Sequence, residues 1–313
     1  MPSLSAPPTR LAHLGILRFS GADALSFLQG QISNDTQRLA GNETLFAAYS
    51  TAQGRVLALI YLLPHSSGVA AILPRELLQP TLERMRKFVL RAKVRIEDAG
   101  ESLVVGGGFG AAPMAAKGYV EQDGIGIAPL GHDPSRHWVI GPPQSFAADA
   151  AADAAAEAPE TRWRLADIQA GLPQVYAATS EAFVAQMLNL DLLDGISFTK
   201  GCYTGQEIIA RTQHLGRIKR RLHRLQLPAG SWRIGQALRL SDGRQGRLTE
   251  VIDSGGRTEA LAVLNLEANP SAAREASPSA ASDASVAGEE PGELVQASEL
   301  PLPYSLLGTH VRE

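Results

Sequence analysis

Leu14–Phe19 alternates apolar and polar positions closely enough to predict a strand. Behind it, Ser20 and Asp23 form a capping-box pattern, with Leu25, Leu28 and Ile32 at helical spacing. Leu45–Tyr49 and Val56–Leu63 read as strands on either side of a turn at Gln53-Gly54. Pro74 marks a helix start, and Leu78, Leu82, Met85 and Val89 form its apolar stripe. Val94 and Ile96 alternate with Lys93, Arg95 and Glu97, which predicts a half-exposed strand, and Leu103–Val105 predicts another. The first two-thirds of the chain therefore reads as mixed α+β with non-local strand pairing.

The pattern changes after residue 215. Short apolar runs recur at 217–227, 236–241, 246–252 and 260–265, and Asp242-Gly243 is a hairpin-turn signal between two of them. This spacing predicts a compact β-barrel, with Leu302–Leu306 as its closing strand. The boundary falls near residue 225, dividing an α+β region (1–225) from a barrel (226–313). Residues 1–10 read as a linker. The alanine- and acid-rich tract 146–160 reads as a solvated segment with little to bury. The Ala/Ser/Pro/Glu-dominated stretch 267–299 predicts disorder, because it offers too little apolar surface to offset ordering entropy.

Composition narrows the class. Hydrophobic residues make up 44% of the 313 positions, ample for a core, but aromatics are only 5%, so a flat ligand has few rings to grip it. Twenty-nine Lys and Arg against 32 Asp and Glu give a net charge of −3, which excludes a global polycation but not a local basic patch. With Cys202 as the one cysteine, no intrachain disulfide, multi-cysteine zinc site or four-thiolate cluster forms. The seven histidines show no metal-ligand spacing. The longest apolar run is too short to span a bilayer, and the first twenty residues hold no apolar signal segment. The expectation is a cytoplasmic protein without a membrane partner.

The densest segment is Phe198–Arg211. Thr204 with Glu207 forms a capping box, so a helix should begin near Gly205. Gly201 and Gly205 flank a Cys-Tyr-Thr turn and would let backbone approach a ligand closely. Cys202 lies just ahead of that helix and two residues from Lys200, a setting that makes it a candidate reactive thiol. A buried, inert thiol is the alternative.

The octapeptide Lys200–Glu207 resembles the signature of the YgfZ family of folate-binding proteins, relatives of the glycine-cleavage aminomethyltransferases. Leu17–Asp35, Gln53-Gly54-Arg55-Val56, Ala170–Pro173, Gln186–Asp191 and Pro303-Tyr304-Ser305 are similar to further segments of that family. The resemblance implies an α+β, aminomethyltransferase-like folate-binding body, partly ferredoxin-like, and a C-terminal β-barrel around a central channel for tetrahydrofolate. It offers Lys200, Tyr203, Gln206, Arg211, Gln169, Gly54, Arg55, Asn34 and Asp35 as cofactor-binding residues.

Each has a second reading. Lys200 and Arg211 suit folate carboxylates or the backbone of a macromolecular partner, or are solvated cations. Tyr203 suits ring stacking or an amphipathic core position. Glu207 suits a helix cap, Gln206 is open, and Asn34-Asp35 is also ordinary turn chemistry.

Departures from the transferase pattern bear on activity. Where the aminomethyltransferases carry paired aspartates, this chain has Ala58 and Leu59, which cannot handle a proton. Gln169 stands where relatives often place a glutamate that reads the 2-amino and N3 donors of a pterin. Ala185 stands where proline is expected.

The resemblance implies an accessory protein that helps assemble or repair iron–sulfur clusters in client enzymes, tRNA-modifying ones included. The alternative is a folate-dependent one-carbon transferase acting on protein or tRNA. Arg217, Lys219, Arg220, Arg221 and Arg224, with His214 and His223, form a basic run that suits tRNA or an acidic partner, or serves as a charged sheet edge.

Overall fold

Residues buried on both faces of one sheet organise the first half of the molecule. The computed structural model describes residues 8–110, 118–146, 158–214, 217–267 and 292–306. The first sheet contains β2 (Leu14–Ser20), β3 (Leu45–Ser50), β4 (Val56–His65), β5 (Gly68–Pro74) and β6 (Arg95–Asp98). Its strands are antiparallel, in the order β3-β4-β5-β2-β6. β4 is buried at every position from Ala58 to Leu63, as a strand is when both faces are covered. Helix α1 (Ala24–Gln29) and helix α2 (Leu78–Arg86) pack on this sheet, and Leu78 fills the space over Gly15.

The second sheet contains β1 (Thr9–Arg10), β7 (Val104–Phe109), β8 (Val120–Gln122), β9 (Ile125–Leu130) and β10 (Asp133–Gly141), ordered β1-β7-β10-β9-β8. Helix α3 (Pro159–Ala170) has proline in its first turn and ends at Gly171 in the left-handed conformation. Helix α4 (Gln206–His214) follows the signature octapeptide.

The third sheet contains β11 (Arg220–Leu227), β12 (Ala237–Leu240), β13 (Gln245–Ser254), β14 (Arg257–Asn265), β15 (Glu293–Val295) and β16 (Ser298–Leu300). Its order is β15-β12-β13-β14-β11-β16, so β15 and β16 are opposite edges. Only Gln296 and Ala297 separate them in sequence, a link that reaches about 10 Å. The sheet must therefore curl into a half-barrel that brings its edges close. No ladder among the described residues joins those two edges.

Several local expectations change. Residues 293–295 and 298–299, inside the stretch whose composition predicts disorder, belong to strands, because Val295 is buried and both segments complete a sheet edge. Residues 268–291 of that stretch, and 147–157 of the alanine-rich tract, lie outside the described residues. Pro159 and Glu160, at the end of that tract, open α3. Leu302–Leu306 is not a strand: Leu302 and Tyr304 close over Gly171, and the Tyr304 hydroxyl donates to Gly171 O at 2.7 Å. Thr9–Arg10 pairs with β7, so the leading linker is shorter than residues 1–10. Asp23 makes no capping bond. Its Oδ2 accepts from Lys93 N at 2.6 Å, and Leu25 of α1 is exposed.

Candidate functional site

The signature octapeptide is built into a backbone junction. Gly54 (φ 71°) and Gly205 (φ 85°) both take left-handed conformations and meet face to face. A Cβ on Gly205 would lie 2.6 Å from Thr51 O and 3.1 Å from Gly54 Cα, and one on Gly54 would lie 2.9 Å from Ile208 Cβ. The glycine at 205 therefore admits another piece of protein backbone, where the turn chemistry suggests a ligand. Gly201 has nothing within 4 Å of a built Cβ.

Lys200 is buried, and its Nζ donates to Gln29 O (2.8 Å), Ile32 O (2.8 Å) and Asn34 O (2.7 Å). These three bonds take all the donors of an ammonium. The charge that the spacing offers to Cys202 or to a folate carboxylate is directed into the Gln29–Asn34 loop. Burial pulls Lys200 down to about 8, with Asp35 working the other way. Nζ also stands 4.9 Å from the Tyr203 ring centre, a cation–π contact that ties the two motif residues together. Burial pushes the Tyr203 hydroxyl up to about 12.

Asn34 and Asp35 serve the same loop. Asn34 Nδ2 donates to Phe46 O (2.9 Å) and Asp194 O (2.6 Å), and Asp35 caps the following turn by accepting from Gln37 N. Arg55 is exposed and donates to Ala182 O at 3.0 Å. Helix α4 begins at Gln206, as the spacing predicts, but no hydrogen bond joins Thr204 to Glu207. The first turn closes through Gln206 N to Tyr203 O (3.1 Å).

Beside this junction lies a groove of about 540 Å³, bordered by Ser50, Arg84, Phe88, Tyr203, Thr204 and Gln206. Cys202, next to Tyr203, is exposed. Arg211 is exposed on α4, and Gln169 is exposed on α3; neither borders the groove.

A second constellation went unmarked by sequence patterns. Scarce aromatic rings gather in one file: Phe46 to Tyr61 (4.5 Å between centres), Tyr61 to Trp138 (5.1 Å), Trp138 to Trp163 (5.0 Å) and Trp163 to Phe109 (5.9 Å). The file joins the first sheet, the second sheet and α3. Tyr61 and Trp138 border two clefts, one of about 290 Å³ reaching His132, the other of only about 10 Å³ reaching Asp167.

Arg136, fully buried, donates to Asp133 (2.6 Å) and to Asp167 Oδ1 (2.7 Å). Arg136 Nη2 and Trp138 Nε1 are buried without partners among the described residues. Burial pushes the Asp167 carboxyl up to about 6, against the pull of Arg136. The available signal was Trp163 and Asp167, four residues apart on one helix face. The clefts and the motif groove share no lining residue. The larger cleft and the groove lie toward opposite ends of β3, at Phe46 and Ser50, about 13 Å apart along the strand.

Curated proteins are similar to this chain over most of its length. A protein of Hamiltonella defensa named "tRNA-modifying protein YgfZ" is 30% identical over 258 residues, 77% of this chain and 74% of its own length. The protein of that name from Colwellia psychrerythraea is 31% identical, covering 71% of this chain and 73% of its own. One from Yersinia pestis is 30% identical, covering 93% and 90%. The chain belongs to the YgfZ family. No protein-family model matches the chain.

Among solved structures, the glycine cleavage system aminomethyltransferase T from Bartonella henselae superposes with a TM-score of 0.57 at 12% identity, over 83% of this chain and 80% of its own. This YgfZ-family chain thus has an aminomethyltransferase-like fold. Ala58 and Leu59 are both fully buried in β4. No helix among the described residues is long and apolar enough to cross a membrane.

Proposed function

We propose that this protein binds a reduced folate without transferring its one-carbon unit, and supports iron–sulfur enzymes that modify tRNA. The observation that carries the folate reading is the Tyr61–Trp138 wall with its unpartnered indole N–H and the adjacent Asp167. A pterin needs flat apolar faces, an acceptor for its amino and N3 donors, and a donor for its carbonyl. Tyr61 and Trp138 supply the faces. Asp167, with Oδ1 alone hydrogen-bonded, supplies the acceptor, and Trp138 Nε1 supplies the donor. The donor and acceptor set matches a pterin, but the cleft at Asp167 holds only about 10 Å³, so the ligand seats there only if the buried Tyr61 and Trp138 rings move aside. Asp167 takes the role that Gln169, exposed on α3, was expected to fill. Tetrahydrofolate would hold its one-carbon unit when bound; the chain's residues bind and orient it without transferring that unit.

Ala58 and Leu59 favour binding over transfer, since neither holds a proton or stabilises a cationic centre. The tRNA role is carried over from the relatives' name. The cluster role follows from the family resemblance and from the exposed thiol of Cys202, which is open to a partner. Lys200, Asn34 and Asp35 act as positioning residues for the octapeptide.

Calorimetric titration with mono- and polyglutamylated tetrahydrofolate tests the folate reading. Saturable heat that Trp138→Ala abolishes supports it; no heat and no thermal protection overturns it. An assay with aminomethylated carrier protein should yield no methylenetetrahydrofolate.

A further inference from the structure

The basic run at Arg217–Arg224 is largely neutralised by the fold. Arg217 pairs with Glu267, Arg221 with Asp191, Arg224 with Glu259, and His223 contacts Glu299. A second segment is not neutralised. Residues 84–95 read Arg-Met-Arg-Lys-Phe-Val-Leu-Arg-Ala-Lys-Val-Arg, six cations with no acid. They form the last turn of α2, the loop after it, and the first residue of β6, an edge strand. Arg95 pairs with Glu97. Lys87, Arg91 and Lys93 are exposed, and none has a carboxylate partner among the described residues. Between the cations, Phe88 is 45% exposed and Leu90 86%, a hydration cost that packing against the body does not remove.

This segment is also one wall of the motif groove, through Arg84 and Phe88. The rest of the lining is mixed: Tyr49, Ala52 and Tyr203 are apolar or aromatic, Ser50, Thr204 and Gln206 are polar, and Glu207 is the one acid. Ser50 is 2% exposed, and its Oγ is buried without a partner. A groove that combines a free cationic rim, an aromatic face and hydrogen-bonding groups suits an unstacked nucleobase on a phosphate chain. An acidic protein would satisfy the cations. Its carboxylates and backbone would also satisfy Ser50, Thr204 and Gln206, but a carboxylate does not stack on the exposed face of Phe88 as a base does.

We propose that residues 84–95 and the adjoining groove bind single-stranded RNA. Phosphates lie on Lys87, Arg91 and Lys93, and a base stacks on Phe88 at the groove mouth. The proposal deepens the tRNA side of the proposed function, on which the choice of RNA rests, and is independent of folate. It places the bound strand beside Cys202 and at a distance from the aromatic clefts.

Fluorescence anisotropy of the full chain with a labelled oligouridylate and with an unmodified tRNA transcript tests it. Binding should weaken with salt. In Lys87→Glu/Arg91→Glu the log–log salt slope should fall by about 1.4, the share of two phosphate contacts on a single strand. Phe88→Ala should cost about 5- to 150-fold in affinity, the range for one stacked base, and leave the slope unchanged. Arg217→Ala/Lys219→Ala should bind as wild type.

The proposal is overturned by absent binding at low salt, or by an equal loss in the Arg217/Lys219 variant. It is also overturned if Phe88→Ala has no effect and polyglutamate competes as well as RNA, which would mark an acidic-protein surface. Folate titrated against the same variants should give wild-type heats. A wild type that binds RNA in this pattern but no folate would remove the folate reading and keep this one.

Discussion

Gly54 and Gly205 pack backbone to backbone, and this contact locks the turn after β3 to the start of α4. Gly205→Ala would combine a left-handed backbone with a Cβ 2.6 Å from Thr51 O. The expected loss is about 2–4 kcal/mol of unfolding free energy. Gly201→Ala, with open space around its Cβ, should change stability by about 0.5 kcal/mol at most. Urea denaturation of the two variants side by side measures the difference.

Lys200 lends itself to a pH test. Its folded-state value, about 8, lies below the ordinary 10.5 of the unfolded chain. Between those limits the unfolded chain binds more protons, so this group's contribution to stability rises as pH climbs from about 8 to 10.5. Lys200→Met should remove that rise. It should also destabilise the protein near neutral pH by about 1–3 kcal/mol, because buried carbonyls lose their donors. Denaturation midpoints across that window, together with faster amide exchange in residues 29–35, are the readouts.

Asp167 should make folate binding pH-dependent. The carboxylate accepts from the pterin only when ionised, and burial holds its value at about 6. Affinity should therefore fall about tenfold per pH unit below about 6 and level off above it. Asp167→Asn should bind more weakly at neutral pH and lose this dependence. Intrinsic tryptophan fluorescence, reporting Trp138 and Trp163, checks that the variant remains folded.

Cys202 is exposed, so it should alkylate in the native protein at close to the rate of a small thiol of equal ionisation. Cys202→Ser should unfold within about 0.5 kcal/mol of wild type. It should still fail to restore cluster-dependent tRNA modification in cells lacking their own family member. Full rescue by the serine variant would assign the thiol no part in function.

Arg221 and Asp191 form a buried bidentate pair, at 2.5 and 2.8 Å. Arg221→Ala strands the Asp191 carboxylate and should cost about 3–5 kcal/mol. A thermal melt that left the midpoint unchanged would return Arg221 to the surface role its sequence neighbourhood suggests.

The sequence by itself determined the family, through Lys200–Glu207, and most of the strongly patterned elements: β2–β4, α2 and the short strands from β11 to β14. Local periodicity and turn chemistry are properties of neighbouring residues, so they survive in one dimension. It did not mark β5, whose Val69–Leu73 is buried throughout and shows no alternation. Tertiary structure alone decided which charges are free. Arg217–Arg224 reads as a basic stripe until Asp191, Glu259 and Glu299 arrive from other elements, whereas Lys87, Arg91 and Lys93 meet no carboxylate among the described residues. It also decided that Lys200 turns inward on carbonyls of a loop some 170 residues earlier, and that rings scattered from Phe46 to Trp163 form one wall beside Asp167. Long-range pairing depends on which surfaces meet, and a pattern confined to neighbouring residues carries no record of that.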